Sequence, residues 1–128
     1  MIYLSVDELL RVADRVVSAG VTVRDVGLLE AAAARPQTTV GAVDAYPDLL
    51  TKAGALLHSL ARNYALLDPN KRLALSGVIF LGVNGFRLTA TEDEAYEIVM
   101  SVATGDVDDV DDVTSIADRL RQLTTSQR

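Results

Sequence analysis

The chain has 128 residues, 49% of them hydrophobic, with 12 basic against 18 acidic side chains and a net charge of −6. That is one domain with ample apolar material for a core, since two would each fall near the lower limit for independent folding. With no cysteine and one histidine, a disulfide scaffold, thiol catalysis, cysteine-ligated zinc and a multi-histidine metal site are excluded.

The acidic balance, the lack of basic runs and the few aromatics (two Phe, four Tyr, no Trp) argue against direct nucleic-acid binding. The N-terminus turns acidic at Asp7-Glu8 with no positive leader, unlike a signal peptide. The most apolar run, Leu73 to Phe86, is fourteen residues, short of the roughly 20 that span a membrane. It reads as a buried helix, and the chain as a cytoplasmic protein with no membrane partner.

Ser5 and Glu8 form a capping box before apolar Leu9, Val12, Ala13, Val16 and Val17, which predicts a helix over 6–19 ending at Gly20. Asp25 caps a second helix, 26–34, which Pro36 stops. Residues 36–46 carry little periodicity and read as a long loop, a candidate flap over a site with a small strand element near 38–42. Pro47 opens a third helix, about 48–66, with Leu49, Leu50, Ala53, Leu56, Leu57 and Leu60 on one face. Asp68 as N-cap and Pro69 at the first helical position start a fourth, ending near Gly85. Thr91 and Glu94 make a second capping box for a helix over 92–104. Five aspartates in 106–112 form an acidic connection without the order of a calcium loop. A last amphipathic helix covers 113–123, and the tail after it is expected to fray. Ile2–Leu4 is a further strand candidate. The expected architecture is all-α, a compact bundle of about six helices.

The segment Asn63-Tyr64-Ala65-Leu66-Leu67-Asp68-Pro69-Asn70-Lys71-Arg72 carries the chemistry. A helix start offers free N–H groups and the positive end of the macrodipole, which suit an anion. Lys71 and Arg72 in that first turn oppose the dipole unless an anion offsets them, and the Asp68 carboxylate suits Mg²⁺ bridging phosphates. Ordinary helix capping and a solvated Lys-Arg pair are the bland alternative. Arg35, beside the loop, reads equally as a contact to a protein partner or as a solvated surface residue.

Asp68-Pro69-Asn70-Lys71-Arg72, with Leu73-Ala74-Leu75 and Phe80-Leu81-Gly82-Val83-Asn84-Gly85, resembles the Doc branch of the Fic/Doc family. That family's pattern is His-x-Phe-x-Asp-(Gly/Ala)-Asn-Lys-Arg. Gly27-Leu28-Leu29-Glu30, Ala34-Arg35-Pro36-Gln37, Tyr46-Pro47 and Lys52-Ala53 also look like the bacterial Doc pattern. The resemblance covers about 2–123, which makes 1–128 a single Fic/Doc-like domain.

It implies the toxin of a type II toxin–antitoxin system, a kinase that transfers the terminal phosphate of ATP to a threonine of elongation factor Tu and blocks translation. By the same resemblance Asp68 would hold Mg²⁺, and Asn70, Lys71 and Arg72 would hold the nucleotide phosphates. A Phd-like antitoxin would inhibit by laying a disordered segment as a helix into a groove of the toxin. A Fic-type adenylyltransferase is disfavoured by Lys71, where Fic enzymes carry Gly.

This chain departs from the pattern. The family's general-base histidine aligns with Tyr64, Leu66 stands for Phe, and Pro69 for Gly or Ala. A phenol titrates near pH 10, leaving about one part in a thousand ionised at neutral pH, so the chain as written is expected to be inactive or nearly so. His58, six residues upstream, is no substitute and reads as a histidine packed on its helix. Two origins fit Tyr64: natural loss of activity, or replacement of the histidine so that a toxic protein could be produced. We favour the second. The alternative function is a catalytically dead Doc-like binding protein acting through its antitoxin.

Overall fold

A computed structural model describes residues 2–16, 26–62, 74–89, 91–103 and 112–126. Six α-helices are present among them: α1 (Val6–Val16), α2 (Val26–Ala34), α3 (Leu49–Arg62), α4 (Ser76–Val83), α5 (Glu92–Ala103) and α6 (Asp112–Leu123). A 3₁₀ turn over Arg35–Gln37 follows α2. Two small antiparallel pairs complete the fold: β1 (Thr39–Val40) with β2 (Val43–Asp44), and β3 (Phe86–Leu88) with β4 (Thr124–Ser126). The predicted all-helical class is the observed one. The Asp25 cap, the start of the fourth helix and the acidic segment 106–111 lie outside the described residues.

Both predicted capping boxes form. The Ser5 N–H and hydroxyl donate to Glu8 Oε1, each at 3.1 Å, and the Glu8 N–H returns a bond to Ser5 Oγ. Thr91 and Glu94 repeat the pattern. A third cap starts α3, where the Thr51 N–H donates to Asp48 Oδ1 at 2.8 Å and the Asp48 N–H to Thr51 Oγ1. Each satisfies N–H groups that a helix start leaves without a partner.

The core is built around α3. Nine of its 14 residues are buried, and α2, the 3₁₀ turn, α4, α5 and α6 all pack on it. The facing helices bring apolar residues at helical spacing: Ala95, Ile98, Val99 and Val102 from α5, and Ile116, Ala117 and Leu120 from α6. Two glycines let backbones approach. A Cβ on Gly54 would lie 2.9 Å from Val113 O on α6, and one on Gly77 would lie 2.9 Å from Leu57 Cβ and 3.0 Å from Ala53 O.

Three expectations are corrected. The apolar run 73–86, read as a buried helix, is buried on one side only, and the most enclosed described helix is α3. Within α4, Ser76, Gly77, Phe80 and Leu81 are buried while Ile79 and Val83 are exposed. A uniformly apolar run has no phase, so its sequence does not show which side faces out. Residues 2–4 are not a strand. The Asn84 side chain takes the place of a neighbouring strand, accepting from the Ile2 N–H and donating to Ile2 O, both at 2.7 Å. The C-terminal tail does not fray at once, because Thr124–Ser126 pairs with Phe86–Leu88 after Gly85 (φ +99°) turns the chain.

Two predictions follow from these contacts. Gly77→Ala is expected to destabilise the fold by about 1–3 kcal/mol, since neither backbone nor Leu57 Cβ can yield cheaply. Gly82→Ala on the open side of the same helix, where a Cβ meets nothing within 4 Å, is expected to be neutral or to stabilise by up to about 1 kcal/mol. Urea unfolding of both variants checks the pair.

The second concerns pH. Bonds from the Ser5 backbone N–H, then from its hydroxyl, hold the Glu8 carboxyl below the usual carboxylate range. A carboxylate lowered on folding contributes stability above its unfolded pKa and loses it as pH falls through the folded one. The first turn of α1 should therefore loosen in acid at the lower edge of the Glu range, and Glu8→Gln should remove that dependence. Amide exchange of residues 5–9 against pH measures it.

Candidate functional site

The loop read as a flap is a β-hairpin. Thr39 faces Asp44 and Val40 faces Val43, joined by a two-residue turn with Gly41 at φ +58° and Ala42 at φ +68°. Two positive φ values in a two-residue connection match the twist of a hairpin. Every residue from 37 to 45 is exposed, and Val40 and Val43 lie side by side at 71% and 68% exposure. The hairpin thus buries no apolar face of its own, and polar contacts at its root hold it.

Two cations make that root. The Lys52 ammonium on α3 is buried and donates to Tyr46 O at 2.7 Å, Pro36 O at 3.2 Å and Asp44 Oδ2 at 3.3 Å. An ammonium has three donors, and three acceptors converge on this one. Such a complete set is what makes a buried charge tolerable. The Asp44 side chain is half exposed, so water screens that ion pair.

Arg35, from the 3₁₀ turn, provides the second contact. Its Nε donates to the Tyr46 hydroxyl at 2.9 Å, and its guanidinium carbon lies 5.5 Å from the Tyr46 ring centre. Its Nη1 reaches Ser59 Oγ at 2.9 Å, Ala55 O at 3.3 Å and His58 Nδ1 at 2.8 Å. A guanidinium cannot accept, so His58 Nδ1 accepts and carries no proton in this arrangement. His58 is therefore a packed acceptor on α3, as its sequence position suggested. Arg35 is not a freely solvated surface side chain: it is half-buried, turned inward against α3 and Tyr46.

The sequence-predicted site residues Tyr64, Asp68, Asn70, Lys71 and Arg72 lie outside the described residues. Described structure flanks them: α3 is described to Arg62, the described residues continue from Ala74, and α3 and α4 pack at Gly77. No cluster of three or more metal-ligating side chains occurs among the described residues. Likewise no described helix is long and apolar enough to cross a membrane.

Lys52 entered the sequence reading only as part of the family resemblance and not as a site, yet its position carried a signal. Lys52 is the lone charge in Leu49-Leu50-Thr51-Lys52-Ala53-Gly54-Ala55-Leu56-Leu57 and falls on the apolar stripe of that helix. A charge on such a stripe has to be partnered or leave the core.

Comparison with known proteins agrees with the motif. The model of the Fic/DOC family matches residues 3–80, which include the hairpin, its root and the Asp68–Arg72 segment. A curated protein of Mycolicibacterium smegmatis (strain ATCC 700084 / mc(2)155), "Toxin Doc", is 49% identical over 109 residues, covering 83% of this chain and 84% of that protein.

Arg35→Lys retains the charge but not the planar fork that reaches Tyr46, His58 and Ser59 together. It is expected to destabilise the protein by about 1–3 kcal/mol, read as a lower urea midpoint.

Proposed function

The chain belongs to the Fic/Doc family, and from that premise we propose that it is a Doc-type toxin of a toxin–antitoxin pair. In its histidine-bearing form it acts as a kinase on a threonine of elongation factor Tu. The observation that carries this reading is the 49% identity to "Toxin Doc" across most of both chains, together with Asp68-Pro69-Asn70-Lys71-Arg72.

The donor set suits the reaction. Asp68 offers a hard oxygen ligand of the kind Mg²⁺ takes, and Asn70, Lys71 and Arg72 offer an amide and two cations for phosphate oxygens. ATP with Mg²⁺, when bound, supplies the phosphoryl group and neutralises charge on it. Such transfers leave the protein mainly to position groups and stabilise charge. The hairpin is suited to receive the acceptor: its exposed valines and its free outer strand edge among the described residues can pair an extended peptide. In the histidine-bearing form the side chain at position 64 would take the hydroxyl proton as the threonine oxygen bonds to the terminal phosphorus and ADP leaves. A neutral imidazole accepts it at neutral pH, whereas the Tyr64 phenol does not. The antitoxin is a Phd-like protein whose disordered segment folds on binding.

Tyr64 is also the one observation that favours a second reading, a catalytically dead Doc-like protein that works by binding its antitoxin. The test is radiolabelled phosphate transfer from ATP to purified elongation factor Tu, with growth arrest on induction as a second readout. Tyr64→His is expected to transfer about 10²- to 10⁴-fold faster than the chain as written. Rates within about tenfold of each other would remove the general-base role from position 64. If neither protein transfers phosphate nor stops growth, the second reading takes its place.

A further inference from the structure

The hairpin presents an unusual mechanical problem. Its strands are two residues each, all of its residues are exposed, and a two-stranded ribbon alone is marginal in water. Burial of apolar surface therefore cannot set its position on the protein.

The contacts of Lys52 fill that role. Its three acceptors lie before β1 (Pro36 O), on β2 (Asp44 Oδ2) and after β2 (Tyr46 O). One buried ammonium thus ties the two legs of the hairpin to each other and to α3. Arg35 adds a second tie one to two turns along the same helix, through Ala55 O, His58 and Ser59, and holds Tyr46 by its hydroxyl and ring. The fastening points on α3 thus run from residue 52 to residue 59. Only nine positions separate Ser59 from Asp68 along the chain, so the helix that holds the hairpin directly precedes the Asp68–Arg72 segment in sequence.

We propose that Lys52 is a positioning residue: its ammonium latches the hairpin to α3 and so sets where the protein acceptor is held. The role rests on the acceptor-docking function proposed above for the hairpin, while the latch itself is independent of it. Lys52 touches neither nucleotide nor acceptor in this scheme. Its loss should weaken capture of the protein acceptor and leave nucleotide handling alone. A lysine suits the place because its three donors radiate from one atom, whereas a guanidinium fork is planar.

The test uses the full chain carrying Tyr64→His, alone and combined with Lys52→Met or with Asp44→Lys. Met fills the volume of the lysine without a donor. Asp44→Lys places a like charge beside the ammonium from a half-exposed position, and it serves where Lys52→Met fails to fold. Amide exchange of residues 38–46 is expected to quicken about tenfold or more in both variants, as charge-assisted bonds are lost, while amides of α5 and α6 keep their rates. The KM for elongation factor Tu is expected to rise about tenfold, with the KM for ATP and kcat at saturating acceptor within about twofold. Unchanged exchange over 38–46 would overturn the latch. Faster exchange with an unchanged acceptor KM would overturn the positioning role. Absence of transfer in the Tyr64→His parent would instead defeat the functional reading, with the exchange data still deciding the latch.

Discussion

Because α3 is enclosed by five neighbouring segments, the one charge on its buried stripe cannot reach bulk water and must find its partners in the protein. Lys52 finds them in the segment between α2 and α3, whose carbonyls at Pro36 and Tyr46 and carboxylate at Asp44 turn toward it. That requirement shapes the connection. A stretch of 36–46 free to take many loop forms is drawn into a hairpin whose legs meet at one ammonium. The exposed valines at its tip, the inward turn of Arg35 and the stacking against Tyr46 all follow from the root being closed.

Enclosure has a second consequence. A helix with neighbours on most sides needs close backbone approach somewhere, and Gly54 and Gly77 provide it toward α6 and α4. These contacts fix the register of α3 against the elements that carry the rest of the core, from Leu9 and Leu29 to Phe80 and Leu120. The polar root and the apolar core are therefore not separate systems. Moving α3 to relax either one would strain the other, because packed interiors transmit displacement.

The peripheral ties use a different economy. Asn84 binds the backbone of residue 2 on both sides while also donating to Phe80 O, which joins the N-terminal segment to the end of α4. Tyr3 stacks on Phe80 with ring centres 5.9 Å apart. The β3–β4 pair then holds the end of α6 to the exit of α4. Each joins segments far apart in sequence through a ring contact or a few hydrogen bonds, of modest net strength apiece.

Local chemistry was readable along the chain. The capping boxes at Ser5/Glu8 and Thr91/Glu94, the stop at Pro36 and the amphipathic pattern of α6 depend on single residues or on residues three or four apart, so the local sequence announces them. The Asp68–Arg72 motif and the family it resembles were equally a matter of adjacent residues. What tertiary structure decided were the pairings between distant segments. Arg35, Tyr46, Lys52, His58 and Ser59 come together only because the loop folds back on α3. Asn84 replaces an expected strand partner, Thr124–Ser126 finds β3, and the apolar run of α4 acquires an outer face. Those outcomes depend on which surface meets which in space. Spacing along a chain carries no term for that, because the free energy of a buried charge or an apolar face is set by whatever ends up beside it.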